Sequence, residues 1–210
     1  MLKISHVSKT FNRGTINERR ALTDISFEMD KGDFVTVIGG NGAGKSTLLN
    51  MIAGVYPIDC GTIFLDGVNI SRKPEYKRAA LLGRVFQDPM QGTAADMQID
   101  ENLALAARRG RSRGLSWGVT KQEREEYREK LSKLGLGLED RMTVKVGLLS
   151  GGQRQALTLL MASLQEPKLL LLDEHTAALD PKTAAKVLEL TEEIVTGGGL
   201  AAMMVTHNMK

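Results

Sequence analysis

The stretch GGNGAGKST, residues 39–47, constrains this chain more than any other. It follows the β-branched run DFVTVI and precedes KSTLLNMIAGV, whose apolar spacing is helical. Strand, glycine loop and helix in that order make a phosphate cradle. Gly39, Gly40, Asn41, Gly42, Ala43 and Gly44 let backbone N–H groups close around phosphates, and Lys45 reaches the β and γ groups. The Ser46 hydroxyl, followed by Thr47, can ligate Mg²⁺. Such a loop specifies handling of a nucleoside triphosphate and leaves open the work that follows.

A second anion site stands far away in sequence. LLSGGQRQ, residues 148–155, places a Ser and two glycines ahead of the helical pattern QRQALTLLMASLQ. Free N–H groups and the positive end of a helix dipole there face whatever anion comes near. The question is why one chain carries two such sites.

A third signal is LLLLDEH. Its four leucines suit an interior parallel strand covered on both faces. Asp173 ends that strand, where it can hold Mg²⁺ through water; Glu174, one residue on, can orient or deprotonate an attacking water.

Around these motifs the chain reads as an α/β core interrupted by helices. LKISHVS, ALTDISFEMD, DFVTVIGG, GTIFLDG and GRVFQ have strand character, and the polar NRGTINERR between the first two is a loop. Residues 88–165 turn helical, and strand–helix–strand then returns through 166–210. The predicted organisation is one domain over 1–210. Segments 1–87 and 166–210 form the nucleotide-binding core with a β subdomain, and 88–165 a helical subdomain.

Net charge is +3, from 28 basic and 25 acidic residues, which does not argue for a nucleic-acid partner. The basic run RRGRSRG (108–114) precedes the mixed-charge KQEREEYREK, and the pair reads as a solvated loop and helix face. A single cysteine, Cys60, excludes an internal disulfide and fits a reducing compartment. No signal peptide is seen, and no apolar run approaches the roughly 20 residues of a membrane span. Action at a membrane would therefore require a partner.

In these motifs and their order the chain resembles the ATP-binding cassette ATPases, the nucleotide-binding subunits of ABC transporters. The resemblance covers essentially the whole chain. It implies a P-loop NTPase core of α/β class, an N-terminal antiparallel β subdomain and an inserted α-helical subdomain. Phe11 in VSKTFN matches the aromatic that stacks on adenine, and Gln87 in VFQDP matches the Q-loop glutamine that touches Mg²⁺ or water. LSGGQ at 149–153 is the family signature, with Ser150, Gly151, Gly152 and Gln153 as nucleotide contacts. Asp173 and Glu174 match the metal-binding aspartate and the catalytic glutamate, Asp180 in AALD the D-loop, and His207 in VTHNM the switch histidine.

The resemblance also answers the two-site question. Ser150 and Gly152 of one subunit would close over the ATP held by the P-loop of a second copy, giving an isologous dimer with MgATP in its interface. Hydrolysis tied to closure can then move an attached membrane protein.

FQDPMQGTAADMQIDENLALA and DEHTAALDP resemble a bacterial group whose cassettes work with a separate transmembrane permease and an extracellular substrate-binding lipoprotein. That implies an importer ATPase bound peripherally at the cytoplasmic face of the plasma membrane, in a group with some links to aromatic amino acids. Three departures stand out. His175 occupies the place of a common Pro and reads as a local loop substitution, with tuning of Glu174 by the imidazole as the alternative. QALTLLMAS lacks an arginine often found there. Three residues follow His207 where relatives usually continue for some tens, so a truncated C-terminus is expected. The rival reading is a non-transport cassette acting on ribosomes or DNA. Against it, the chain has one cassette, and the 105 residues from Lys45 to Ser150 hold no sustained heptads. A GTPase would want an Asn-Lys-x-Asp motif, which is not found.

Overall fold

A computed structural model describes residues 1–110 and 118–206. Strands β1 (Leu2–Phe11), β2 (Arg19–Met29), β4 (Cys60–Leu65) and β5 (Val68–Asn69) form an antiparallel sheet in the order β2-β1-β4-β5. Strands β3 (Phe34–Ile38), β6 (Leu82–Val85), β7 (Leu169–Asp173) and β8 (Ala201–Thr206) form a parallel sheet in the order β3-β8-β7-β6. The expected mixture of an antiparallel β layer and a parallel core is therefore present.

The leucine run explains the layering. Leu169 and Leu171 join one core, with Ile4 and Leu65 of the antiparallel sheet and with Leu49 and Ile52 of helix α1 (Lys45–Ala53). Leu170 and Leu172 join a second core on the opposite face. That core also holds Leu103 of α3 (Ile99–Ala107), Tyr127 and Leu131 of α4 (Lys121–Ser132), Leu157 of α5 (Gly151–Ser163) and Leu190 of α6 (Pro181–Gly198). A strand points successive side chains to opposite faces, so four leucines in a row require two apolar walls. Each fully buried leucine contributes about 1.5–3 kcal/mol, and the central strand thereby holds both walls in place.

The helical stretch expected over 88–165 contains α3, α4 and α5. Its last helix lies directly on the parallel sheet. A Cβ at Gly83 of β6 would stand 2.6 Å from the Ala162 carbonyl oxygen, so the close approach depends on glycine there. The helices thus share a core with the sheet through α5 and do not build one of their own.

The two-residue β5 and the short α2 (Glu75–Arg78) carry no periodic signal and were not expected. α2 brings in Arg78, 2% exposed, whose guanidinium donates to the carbonyls of Met51, Ile52, Ser71 and Lys73. Met51 and Ile52 lie in the last turn of α1, whose carbonyls have no intrahelical partner. A buried cation making four hydrogen bonds to backbone carbonyls thus fastens the far end of the P-loop helix. Among the described residues no helix is long and apolar enough to cross a membrane.

Candidate nucleotide site

The glycine loop joins the C-terminal end of β3 to the first turn of α1, where a parallel sheet opens its ligand crevice. Gly44 caps the helix at φ 88°, ψ 6°, a left-handed conformation that disfavours any side chain. A Cβ there would also lie 2.5 Å from the Ala21 carbonyl oxygen. The loop closes a cleft of about 520 Å³ lined by Phe11, Arg19, Ala21, residues 41–47, Gln87 and Glu174. Lys45 Nζ donates to the carbonyls of Gly39 (2.8 Å) and Gly40 (3.1 Å) and stands 3.9 Å from Glu174 Oε1. The cation that would meet a terminal phosphate therefore already faces the acid that would handle water.

Ser46 and Asp173, distant in sequence, meet here: the Ser46 hydroxyl donates to Asp173 Oδ1 at 3.2 Å. Burial raises the Asp173 pKa, while the Ser46 bond and the charge of Arg84 act in the opposite sense. One carboxylate and one hydroxyl suit Mg²⁺, which binds through one or two protein oxygens plus substrate phosphates and waters. A cation held there by Ser46 and Asp173 would supply positive charge to offset what develops on a transferring phosphoryl group. Gln87 is exposed at the end of β6 and borders both the P-loop cleft and a neighbouring groove that also reaches Ser46 and Asp173.

Phe11 ends β1 partly exposed at the mouth of the cleft. Its ring meets Tyr56 edge-on, with centroids 5.2 Å apart, and Lys9 Nζ lies 5.5 Å from its centroid. Tyr56 and Arg19 were missed in the sequence. Arg19 Nη2 donates to the Gly42 carbonyl at 3.0 Å, so a guanidinium sits on the rim of the phosphate loop. Neither residue lies in a motif; strand pairing and the turn after α1 bring them in. Arg84, also unpredicted, donates to Asn50 Oδ1 at 2.6 Å and stacks over Phe86 at 4.4 Å.

The signature is elsewhere. Ser150 caps α5 in a capping box: its Oγ accepts from the Gln153 N–H, and Gln153 Oε1 accepts from the Ser150 N–H, both at 3.2 Å. The Gln153 amide also donates to the Leu136 carbonyl at 3.4 Å, so that side chain is engaged within its own chain. The Ser150 bond uses a lone pair and leaves the hydroxyl proton for another acceptor. Ser150 and Gly151 are exposed, and none of the four signature residues lines the P-loop cleft. Gly152 is buried against α6, where an added Cβ would run into the Thr183 methyl group. Asp180 caps α6, accepting from Thr183 N at 3.1 Å, and Thr183's hydrogen bonds hold its pKa low.

Glu174 takes φ 44°, an uncommon conformation for a non-glycine residue. His175 turns into the protein toward α6, with Nε2 3.1 Å from Thr191 Oγ1. Burial lowers its pKa to about 4, which leaves it neutral at pH 7. The switch position His207 lies outside the described residues, as does most of the basic run after Gly110.

The geometry is that of a nucleotide-hydrolysing cassette, and known proteins agree. The family model described as ABC transporter matches residues 22–177. A tyrosine transport ATP-binding protein of Clostridioides difficile is 44% identical over the whole chain, which spans 83% of that protein. The methionine import ATP-binding protein MetN of Helicobacter hepaticus is 32% identical over the whole chain, which spans 57% of it. A dimeric ATP-binding cassette solved in a post-hydrolysis state with ADP and Pi superposes with a TM-score of 0.83 at 29% identity, over all of this chain and 89% of the other. With its phosphate loop, paired acids and signature helix in place, this chain belongs to the ABC transporter family, as an ATP-hydrolysing cassette.

Proposed function

We propose that this cassette dimerises on MgATP and powers solute import through a separate transmembrane permease, supplied by an extracellular substrate-binding protein, from the cytoplasmic face of the plasma membrane. Lys45 and the loop amides of residues 39–47 hold the phosphates. Ser46, Asp173 and Gln87 serve the Mg²⁺ shell, Phe11 stacks on the base, and Glu174 orients or deprotonates the attacking water. Ser150, Gly151, Gly152 and Gln153, with Asp180, serve the ATP of the other subunit, and His207 senses its own γ-phosphate. The core is 1–87 with 166–210, and 88–165 is the helical subdomain.

The observation that carries this reading is the separation of the P-loop cleft from the signature within one chain. A phosphoryl group held by Lys45 would stand in a cleft that Ser150 of the same subunit does not line, and a second copy would supply that wall. The tyrosine transport relative makes an aromatic amino acid the first solute to test.

Turnover per subunit, measured against protein concentration, tests the shared site. A rate that climbs with concentration and saturates where light scattering shows dimers supports it. A rate independent of dilution into the monomeric range overturns it. Uptake of labelled tyrosine by vesicles holding the permease, with and without this subunit, tests the cargo.

A further inference from the structure

His175 follows Glu174 directly, yet its imidazole is directed away from the cleft. It is 2% exposed and lies 3.1 Å from the hydroxyl of Thr191, itself 1% exposed, on α6. The Thr191 hydroxyl is 2.7 Å from the Val187 carbonyl, one turn earlier. A carbonyl can only accept, so the single hydroxyl proton goes to Val187. Thr191 Oγ1 must then accept from His175, which places the imidazole proton on Nε2.

This bond fastens the start of the loop 174–180 to the middle of α6. The end of the same loop is fastened to the first turn of α6, through Asp180 and the Thr183 N–H. Between β7 and that helix the chain passes through Glu174 at φ 44°, whose N–H donates to the Val205 carbonyl at 3.0 Å. Backbone held in a sparsely populated conformation persists where its surroundings over-determine it. The His175 side chain supplies one of those determinants.

We propose that His175 is a positioning residue for hydrolysis: its Nε2–H bond to Thr191 ties the Glu174 backbone to α6 and so aims the Glu174 carboxylate at the Lys45 end of the cleft. The inference rests on the reading of Glu174 as the residue that handles water. It makes the imidazole a strut acting through its neighbour.

Four single variants and one double variant test it, with turnover, binding of a non-hydrolysable ATP analogue and melting temperature measured on each. His175→Leu keeps comparable bulk without the donor, and Thr191→Val removes the acceptor. Each should lower kcat about ten-fold with analogue affinity unchanged, and the double variant should be no worse than either alone. His175→Gln, whose amide can reach as the ring Nε2 does, and Thr191→Ser should restore most of the rate. Wild-type kcat in folded His175→Leu and Thr191→Val overturns the proposal, as do equal losses in affinity and rate. Should His175→Leu fail to fold, His175→Asn replaces it. Its amide is too short to span the gap, and kcat equal to that of His175→Gln overturns the proposal. Glu174→Gln run in parallel separates the two readings. Full turnover in that variant overturns both, whereas its inactivity beside a fully active His175→Leu overturns this inference alone.

Discussion

Helices α1 and α5 both begin on small residues that leave N–H groups facing outward, yet the chain finishes the two ends differently. At α1 the loop folds back on itself, and Lys45, Ser46, Asp173 and Glu174 converge on a walled cleft. At α5 the Ser150 oxygen caps its own helix while its hydroxyl proton is left over, and the exposed end lies against Thr183 and the lysines of α6, outside that cleft. A helix N-terminus attracts anions in either setting. Only the first sets candidate metal oxygens and a carboxylate for handling water beside its cation. The second is a surface awaiting something to close upon, which suits a partner's nucleotide.

The comparison breaks most sharply at Glu174. Glu174→Gln is expected to lower turnover at least about 100-fold while ATP still binds and dimers accumulate in light scattering. Retained turnover would remove the walled cleft's claim to the chemistry. Next in size is a mixing test. Lys45→Ala and Ser150→Glu chains, each inactive alone, should recover part of the activity when combined, because a mixed dimer rebuilds one complete site. No recovery in mixtures shown to contain heterodimers would mean that both loops serve the same chain.

Glycine substitutions then sharpen the contrast. Gly44→Ala sets a side chain at φ 88° and against the Ala21 carbonyl, so ATP affinity should fall about 10- to 100-fold by calorimetry. Gly152→Ala drives a methyl into Thr183 and should cost about 1–3 kcal/mol of stability, read as a lower melting temperature. An unchanged melting temperature would show that α5 and α6 are not packed as described. The smallest effect belongs to Phe11→Ala, expected to raise KM for ATP about five-fold with kcat preserved, and Phe11→Tyr should reverse it.

How far the sequence reaches differs along the chain. The P-loop and the β7 leucines were legible because each is local: a glycine-rich turn between strand and helix, and a run too apolar for solvent. The parallel core and the helical stretch followed from hydrophobic pattern, whereas the antiparallel layer was implied by the family resemblance. The rim of the cleft was not legible. Arg19 sits in a run read as loop, Tyr56 follows α1 without a motif, and Arg84 reads as an ordinary strand residue. His175 read as a loop substitution, and nothing near it in sequence points to Thr191.

By itself the sequence pointed to a nucleoside-triphosphate site on an α/β frame, and to the backbone loop and the two acids proposed for it. Only the tertiary structure decided that alternate β7 leucines belong to different cores, that Ser46 meets Asp173, and that the signature stands outside its own chain's cleft. It also decided that the imidazole beside Glu174 bonds to α6. The physical reason is range. Conformational preference and amphipathic period act within a few residues, whereas contacts between distant side chains depend on strand register and helix packing, which exist once the whole chain has closed on its two cores.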